Sequence, residues 1–148
     1  LDRTASAEDK VKHYTNFFAV HSKEPSKYYT YAIIRKDLEM SAGKLSAQTG
    51  HAFTNTLLFA QEHFPDTYKQ YLTHKITGSK VSLKAKNANQ LIKAYETCLE
   101  HGIPATLVVD ENHVMPPHFT GDPVITALGI GPCKPEDVKF ITKKFQCI

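Results

Sequence analysis

Cysteine is scarce in this 148-residue chain: Cys98, Cys133 and Cys147 are an odd number, lie far apart and include no CxxC pair. A disulfide framework is thereby excluded, and reduced thiols in a cytoplasmic setting are expected. Glycine and proline number only 7 and 8, which excludes collagen-like and disordered classes. No run approaches the roughly 18 to 20 apolar residues of a membrane span, and the N-terminus lacks the apolar stretch of a signal peptide, so no membrane contact is expected. The chain begins at Leu1, which leaves an upstream targeting segment open; Cys147 is penultimate, where a prenylation box would need cysteine fourth from the end. Charge of one sign is also in short supply. Eighteen Lys and Arg against 15 Asp and Glu leave +3, which permits a phosphate-bearing partner without requiring one. There is no serine elbow, dinucleotide glycine fingerprint, internal repeat or low-complexity tract, and the only GK pair, Gly43-Lys44, lacks the rest of a P-loop. What remains, 41% hydrophobic and 22% charged, is one globular domain with a sizeable core.

Ser6-Ala-Glu-Asp9 resembles a helix N-cap, and Val11, Tyr14, Phe17 and Phe18 then recur at helical spacing until Glu24-Pro25-Ser26. Residues 1–27 are read as an appended helix packed on a main domain of residues 28–148, with an exposed partner-binding helix as the alternative. Tyr28 to Arg35 is rich in aromatic and β-branched residues, as a buried first strand would be. A long helix is predicted from about Gly43 to His63, closed by Phe64-Pro65-Asp66. From Lys80 to Lys86, apolar Val81, Leu83 and Ala85 alternate with Lys80, Ser82, Lys84 and Lys86: a second strand with a lysine face. Asn87 or Asn89 caps a further helix with Leu91, Ile92, Tyr95, Cys98 and Leu99 on one stripe, and Gly102 sits at a left-handed C-cap. Strands follow at Ala105 to Val109 and Val124 to Ile130, around a proline-rich loop from Glu111 to Pro123. A last helix starts at Pro135. Strands separated by helices imply crossovers, hence a parallel or mixed sheet covered by helices in a single α/β sandwich.

On the long helix Lys44, Gln48, His51, Asn55 and Glu62 fall within about 40° of one line, a polar stripe beside the apolar Leu45, Ala52, Phe59 and Ala60. The plainer reading is a solvated face. The functional one is the mouth of a cleft, where the helix N-terminus and Lys44 favour an anion or a developing oxyanion. Asp110 ends a strand, the edge where open α/β sheets place ligands, although a carboxylate there can equally cap a turn. Thr126 lies within the next strand pattern, its hydroxyl either buried and hydrogen-bonded or aimed into a site. Asp110, His113 and His118 are proper zinc ligand types, but their spacing matches no familiar motif, so no metal is expected. The lysine face of residues 80–86 is either solvated or used by RNA phosphate.

Two segments carry a resemblance. Arg35-Lys-Asp-Leu-Glu-Met-Ser-Ala-Gly-Lys-Leu-Ser-Ala-Gln-Thr-Gly-His-Ala52 closely resembles the opening motif of type-two peptidyl-tRNA hydrolases, GK-x-x-AQ-x-x-HA on the helix after the first strand. Thr126-Ala-Leu-Gly-Ile-Gly-Pro132 is similar to that family's T-V-L-G-I-G-P signature, with a helix ending in Gly102 and a strand ending in Asp110 between them. The resemblance covers roughly residues 28 to 148. It implies a three-layer-like α/β sandwich on a four-stranded mixed sheet flanked by helices. The implied activity is metal-independent cleavage of the ester joining a peptide, or a blocked amino acid, to the terminal ribose of tRNA. Carried over by motif, Lys44, Gln48, Asp110 and Thr126 take active-site positions, and His51 matches the helix histidine, on the substrate side and more structural than catalytic. After Asp110 the chain departs from the pattern: it reads Glu111-Asn-His-Val-Met115 where the family has Ala-Gly-Arg-Thr-Gln, putting His113 for arginine and Val114 for threonine, and then runs longer.

The expected mechanism directs water onto the acyl carbonyl. Lys44 and the helix N-terminus stabilise the oxyanion, Asp110 orients or deprotonates the water, Thr126 relays a hydrogen bond and Gln48 positions the carbonyl or ribose. Lys80, Lys84 and Lys86, with Lys134 and Lys143, bind acceptor-stem phosphates, and His113 borders the substrate. No cofactor is expected; the partners are peptidyl-tRNA and, as an alternative to a monomer, a second copy in a homodimer. Two rival readings stand beside this one: a non-catalytic RNA- or protein-binding module on the same fold, and a hydrolase of another acyl ester or amide with His113 as general base.

Overall fold

The computed structural model describes residues 2–17, 21–22, 26–72, 76–111 and 113–148. It begins with α1 (Ala7–Phe17), where the Asp9 amide donates to Ser6 Oγ at 3.1 Å, as the cap signal predicts. There follow β1 (His21–Ser22), β2 (Tyr29–Arg35), α2 (Ala42–His63), α3 (Pro65–Tyr71), β3 (Ile76–Thr77) and β4 (Ser79–Ala85). Then come α4 (Ala88–Glu100), β5 (Ala105–Asp110), β6 (Val114–Met115), β7 (Phe119–Thr120), β8 (Val124–Cys133), α5 (Pro135–Thr142) and β9 (Gln146–Cys147). The main sheet has the order β5-β8-β2-β4-β9, while β1 pairs with β3 and β6 with β7 in two small ladders. The neighbours β2 and β4 are parallel, and β8 is antiparallel to both β2 and β5. Hence β2, β4 and β5 all point the same way, and their C-terminal ends share one edge of the sheet.

The sheet buries both faces. On one, Ile33, Leu83, Leu128 and Ile130 pack against Leu91 and Cys98 of α4 and Val138 and Ile141 of α5. On the other, Ala32, Ile34, Val108 and Ala127 meet Ala52 of α2, with Met40, Leu45 and Phe53 around them. Helices on both sides of a mixed sheet make the expected α/β sandwich. Of the buried row Gln48, Ala52, Thr56 and Ala60, the small Ala52 and Thr56 allow the close approach of α2 to Gly129 of β8. A Cβ at Gly129 would stand 2.1 Å from the Ala52 carbonyl oxygen, so only glycine fits. At the end of α4, Gly102 adopts φ 64 and the Ile103 amide closes on the Cys98 carbonyl at 2.9 Å, the predicted left-handed cap.

Several expectations need correction. The sheet has five strands rather than four, because Gln146–Cys147 pairs antiparallel with Leu83 and Lys84. Two exposed residues cannot display an alternation. Pro65 does not merely stop a helix: it occupies the first turn of α3, where its missing N–H costs nothing. The long loop after Asp110 contains the β6–β7 ladder, and β8 runs on to Cys133. His21–Ser22 form β1, so the first helix does not reach Glu24-Pro25, which lie outside the described residues, as does Phe18. Val11 and Tyr14 on the apolar stripe of α1 are 64% and 49% exposed. No described helix is long and apolar enough to cross a membrane.

Candidate active site

The local sequence brings four side chains to the shared edge. Ser41 caps α2, its Oγ accepting from the Lys44 amide at 3.3 Å, so the helix begins directly after β2 has left the sheet and Lys44 falls in the first turn. Asp110 is the last residue of β5. The Lys44 ammonium donates to Asp110 Oδ2, and both side chains are largely sheltered, 15% and 18% exposed. One turn further along α2, Gln48 lies on the buried row and its Oε1 accepts from the Thr126 hydroxyl at 2.6 Å. Thr126 owes its position to a bulge: Val108 pairs with Ala127 and Val109 with Ile125, leaving Thr126 without a partner in β5. A bulge re-aims the residue it inserts. The arrangement therefore places a cation, a carboxylate, an amide and a hydroxyl together at the N-terminus of a 22-residue helix, where the free N–H groups add positive potential.

Two further residues shape the site that sequence reasoning missed. Arg35, at the end of β2, holds Asp37 through Nε and Nη2 at 3.0 and 2.6 Å, and donates through Nη1 to the Ile125 carbonyl at 3.0 Å, fixing β8 just before Thr126. That guanidinium also holds the Asp37 carboxyl below its usual range, with His118 adding a smaller pull. The Arg35-x-Asp37 spacing at a strand end was the available signal. Phe119, on β7, is 4% exposed, and its ring centre lies 4.6 Å from Lys44 Nζ. Nothing in the proline-rich loop singles it out. Around Lys44, a cleft of about 80 Å³ is walled by Met40, Met115, Pro116, Pro117 and Phe119.

The remaining candidates separate. His113 packs edge-on against Phe119, ring centres 5.0 Å apart, and its Nε2 is buried without a hydrogen-bond partner among the described residues. His51, Asn55 and Glu62 are exposed, so the polar stripe of α2 divides: Lys44 and Gln48 share the row of Ala52, four residues on, and the others face out. Asp110, His113 and His118 go to different partners, and among the described residues no three His, Cys, Asp or Glu side chains gather as a ligand set. Lys84 and Lys86 lie toward the Lys44 end of β4. Lys80 lies near the start of that strand, about 13 Å from Lys84 along the chain, its ammonium over the ring of Tyr71 at 5.3 Å. Lys134 follows the far end of β8, beside a cavity of about 420 Å³ that none of the four central side chains reaches.

The family described as "Peptidyl-tRNA hydrolase PTH2" matches residues 28–148. The chain belongs to the PTH2 family. Among its relatives, a protein of Sulfolobus acidocaldarius named peptidyl-tRNA hydrolase is 34% identical over 113 residues, 74% of this chain and 91% of that one. Like-named proteins of Methanocaldococcus jannaschii and Thermococcus onnurineus are 33% and 31% identical, the latter over 82% of this chain and 98% of its own length. Within the PTH2 region lie both motifs, the Lys44–Asp110 and Gln48–Thr126 contacts, and the distinctive segment 111–123. The PTH2 match leaves α1 outside it.

Proposed function

We infer that this chain is a hydrolase that cleaves the ester between a peptide, or an N-blocked amino acid, and the terminal ribose of tRNA, releasing free tRNA by metal-independent attack of water. Residues 28–148 are its catalytic unit and residues 1–27 an appended segment. It works in the cytoplasm, where translation supplies peptidyl-tRNA. The observation that carries the reading is the meeting of Lys44 with Asp110 and of Gln48 with Thr126 at one helix N-terminus, in a chain of the PTH2 family. All four groups come from one chain.

The chemistry follows from the donors and acceptors. Attack of water on the ester carbonyl builds negative charge on its oxygen, and preorganised donors lower that barrier because they need not reorient. Lys44 and the first amides of α2 supply them. Asp110, held by the Lys44 ammonium, is an acceptor for the attacking water and takes its proton as the bond forms; when the tetrahedral intermediate collapses and the bond to the ribose oxygen breaks, Asp110 returns that proton to the departing oxygen, releasing the tRNA hydroxyl and the peptide acid. The Thr126 hydroxyl donates to Gln48 Oε1 at 2.6 Å, the nearer of its two acceptors, which leaves the Gln48 amide nitrogen as a donor for the substrate carbonyl or ribose. The relatives' shared name and their coverage of more than nine-tenths of their own length favour an enzyme over a non-catalytic module.

The test is release of tRNA from N-acetyl-aminoacyl-tRNA, in chelator, by wild type and Lys44→Ala. Turnover by wild type with a loss of about 10²- to 10³-fold in the variant, at little-changed KM, is expected for removal of one oxyanion donor. Folded wild-type protein with no turnover would leave the fold as a binding module.

A further inference from the structure

Beside the small cleft at Lys44 lies a larger groove of about 190 Å³, on the other side of Met40. Its floor is apolar, from Met40, Leu45 and Ile148, and its rim carries Lys36, Lys84 and Glu39. Glu39 and Met40 line both spaces, so groove and cleft are continuous around one residue. Glu39 holds φ 51, a left-handed conformation that side chains other than glycine rarely adopt. That turn is what sets Met40 between them. Such outliers persist where surrounding structure over-determines them, typically at ligand sites.

We propose that this groove receives the 3′-terminal nucleoside of the RNA, leaving the cleft beside Met115 for the acyl group, with the ester between them at Lys44. The proposal rests on the ester-hydrolase reading and names the subsite of its leaving group. A nucleobase is flat and apolar on its faces and is tied to phosphate; it needs a floor without charge and cations at the rim. The groove offers both. Among the described residues neither Lys36 nor Lys84 is in an ion pair, whereas Arg35 is committed to Asp37 and the Ile125 carbonyl. Glu39 adds an acceptor for a ribose hydroxyl or an exocyclic amine. The cleft on the other side fits the opposite role: at about 80 Å³ it is less than half the volume, its wall is Met115 and two prolines, and its one cation is paired with Asp110. The lysine face of β4 leads from Lys84 along the sheet, giving the attached strand a way out.

The chain has only two methionines, Met40 between groove and cleft and Met115 at the cleft alone, so in a protein labelled with ¹³C-methyl methionine a shift of Met40 without Met115 marks the groove and a shift of both marks the cleft. AMP is expected to shift the Met40 methyl signal saturably and leave Met115 in place. Adenosine, which lacks phosphate, should bind about ten-fold more weakly, a difference that Lys84→Ala removes. Leu45→Trp, which fills the groove, should abolish the Met40 shift while an unmoved Met115 signal reports a folded protein. Deacylated tRNA should displace AMP at about ten-fold lower concentration than AMP itself requires. Binding of AMP tighter than tRNA would make this a free-nucleotide site and overturn the proposal. So would movement of Met115, with or without Met40, or a shift that survives Leu45→Trp. Assay of the same samples separates the two ideas: turnover without a Met40 shift removes the groove and keeps the hydrolase, and a shift without turnover does the reverse.

Discussion

Among the described residues, the Asp110 carboxylate and the face of Phe119 act on the charge of Lys44. The carboxylate draws the ammonium; the ring keeps it directed in a sheltered position, a contact worth about 0.5 to 2 kcal/mol. That contact would make Phe119 a positioning residue. Phe119→Leu, which retains apolar bulk without the ring face, should lower kcat by up to about ten-fold and leave KM nearly unchanged. Phe119→Trp should restore it, whereas a purely space-filling role would favour leucine over the larger indole. The Arg35–Asp37 pair makes a different prediction. Its carboxyl is depressed in the folded chain, so its contribution to stability is complete above the ordinary carboxylate range and is lost as pH falls through the folded value. Thermal melts of wild type and Asp37→Asn should therefore differ at pH 7 and converge below about pH 4. A difference that persists in acid would assign Asp37 a role other than its charge.

At the scale of elements, α2 decides the site because it lies close on β8. Gly129→Ala forces a methyl to within 2.1 Å of the Ala52 carbonyl and should destabilise by about 1 to 3 kcal/mol or more, read as a fall in Tm. Gly50, on the exposed side of the same helix with nothing within 4 Å of an added Cβ, should respond oppositely: Gly50→Ala gains about 0.5 to 1 kcal/mol. The contrast separates packing from propensity. Legibility in the sequence follows the same division. Features with a period or a cap were readable: α2, the lysine alternation of β4, the Gly102 stop of α4. So was the pair of motifs that contain Lys44, Gln48 and Thr126. Features set by pairing across the chain were not. The bulge that turns Thr126 to Gln48 exists only in the register of β5 against β8, and β9 is a strand only because β4 offers it an edge. Phe119 reads as one aromatic in a proline-rich loop until the β6–β7 ladder folds it under Lys44.

For the molecule as a whole, the direction of the strands divides the candidate RNA-binding lysines between two edges of the sheet. The C-terminal ends of β2, β4 and β5 share an edge with Lys44, and Lys84 and Lys86 are there; Lys134 stands beyond the end of β8, which runs the other way. The two groups are on opposite edges of a sheet whose strands are 7 to 10 residues long near its centre, β2, β4 and β8. That is about 20 Å or more, beyond the roughly 8 Å over which physiological salt leaves surface charges in contact. A phosphate held at one edge is therefore screened from a lysine at the other. Lys84→Ala and Lys86→Ala should each raise KM for acyl-tRNA and make log KM less steep in log salt by nearly one unit, the loss of about one released counterion. Lys134→Ala should change neither, and kcat should hold in all three. If Lys134→Ala flattens the salt dependence as much as Lys84→Ala, the RNA crosses the sheet to the far edge, and binding there is not organised by the edge that carries Lys44 and Asp110.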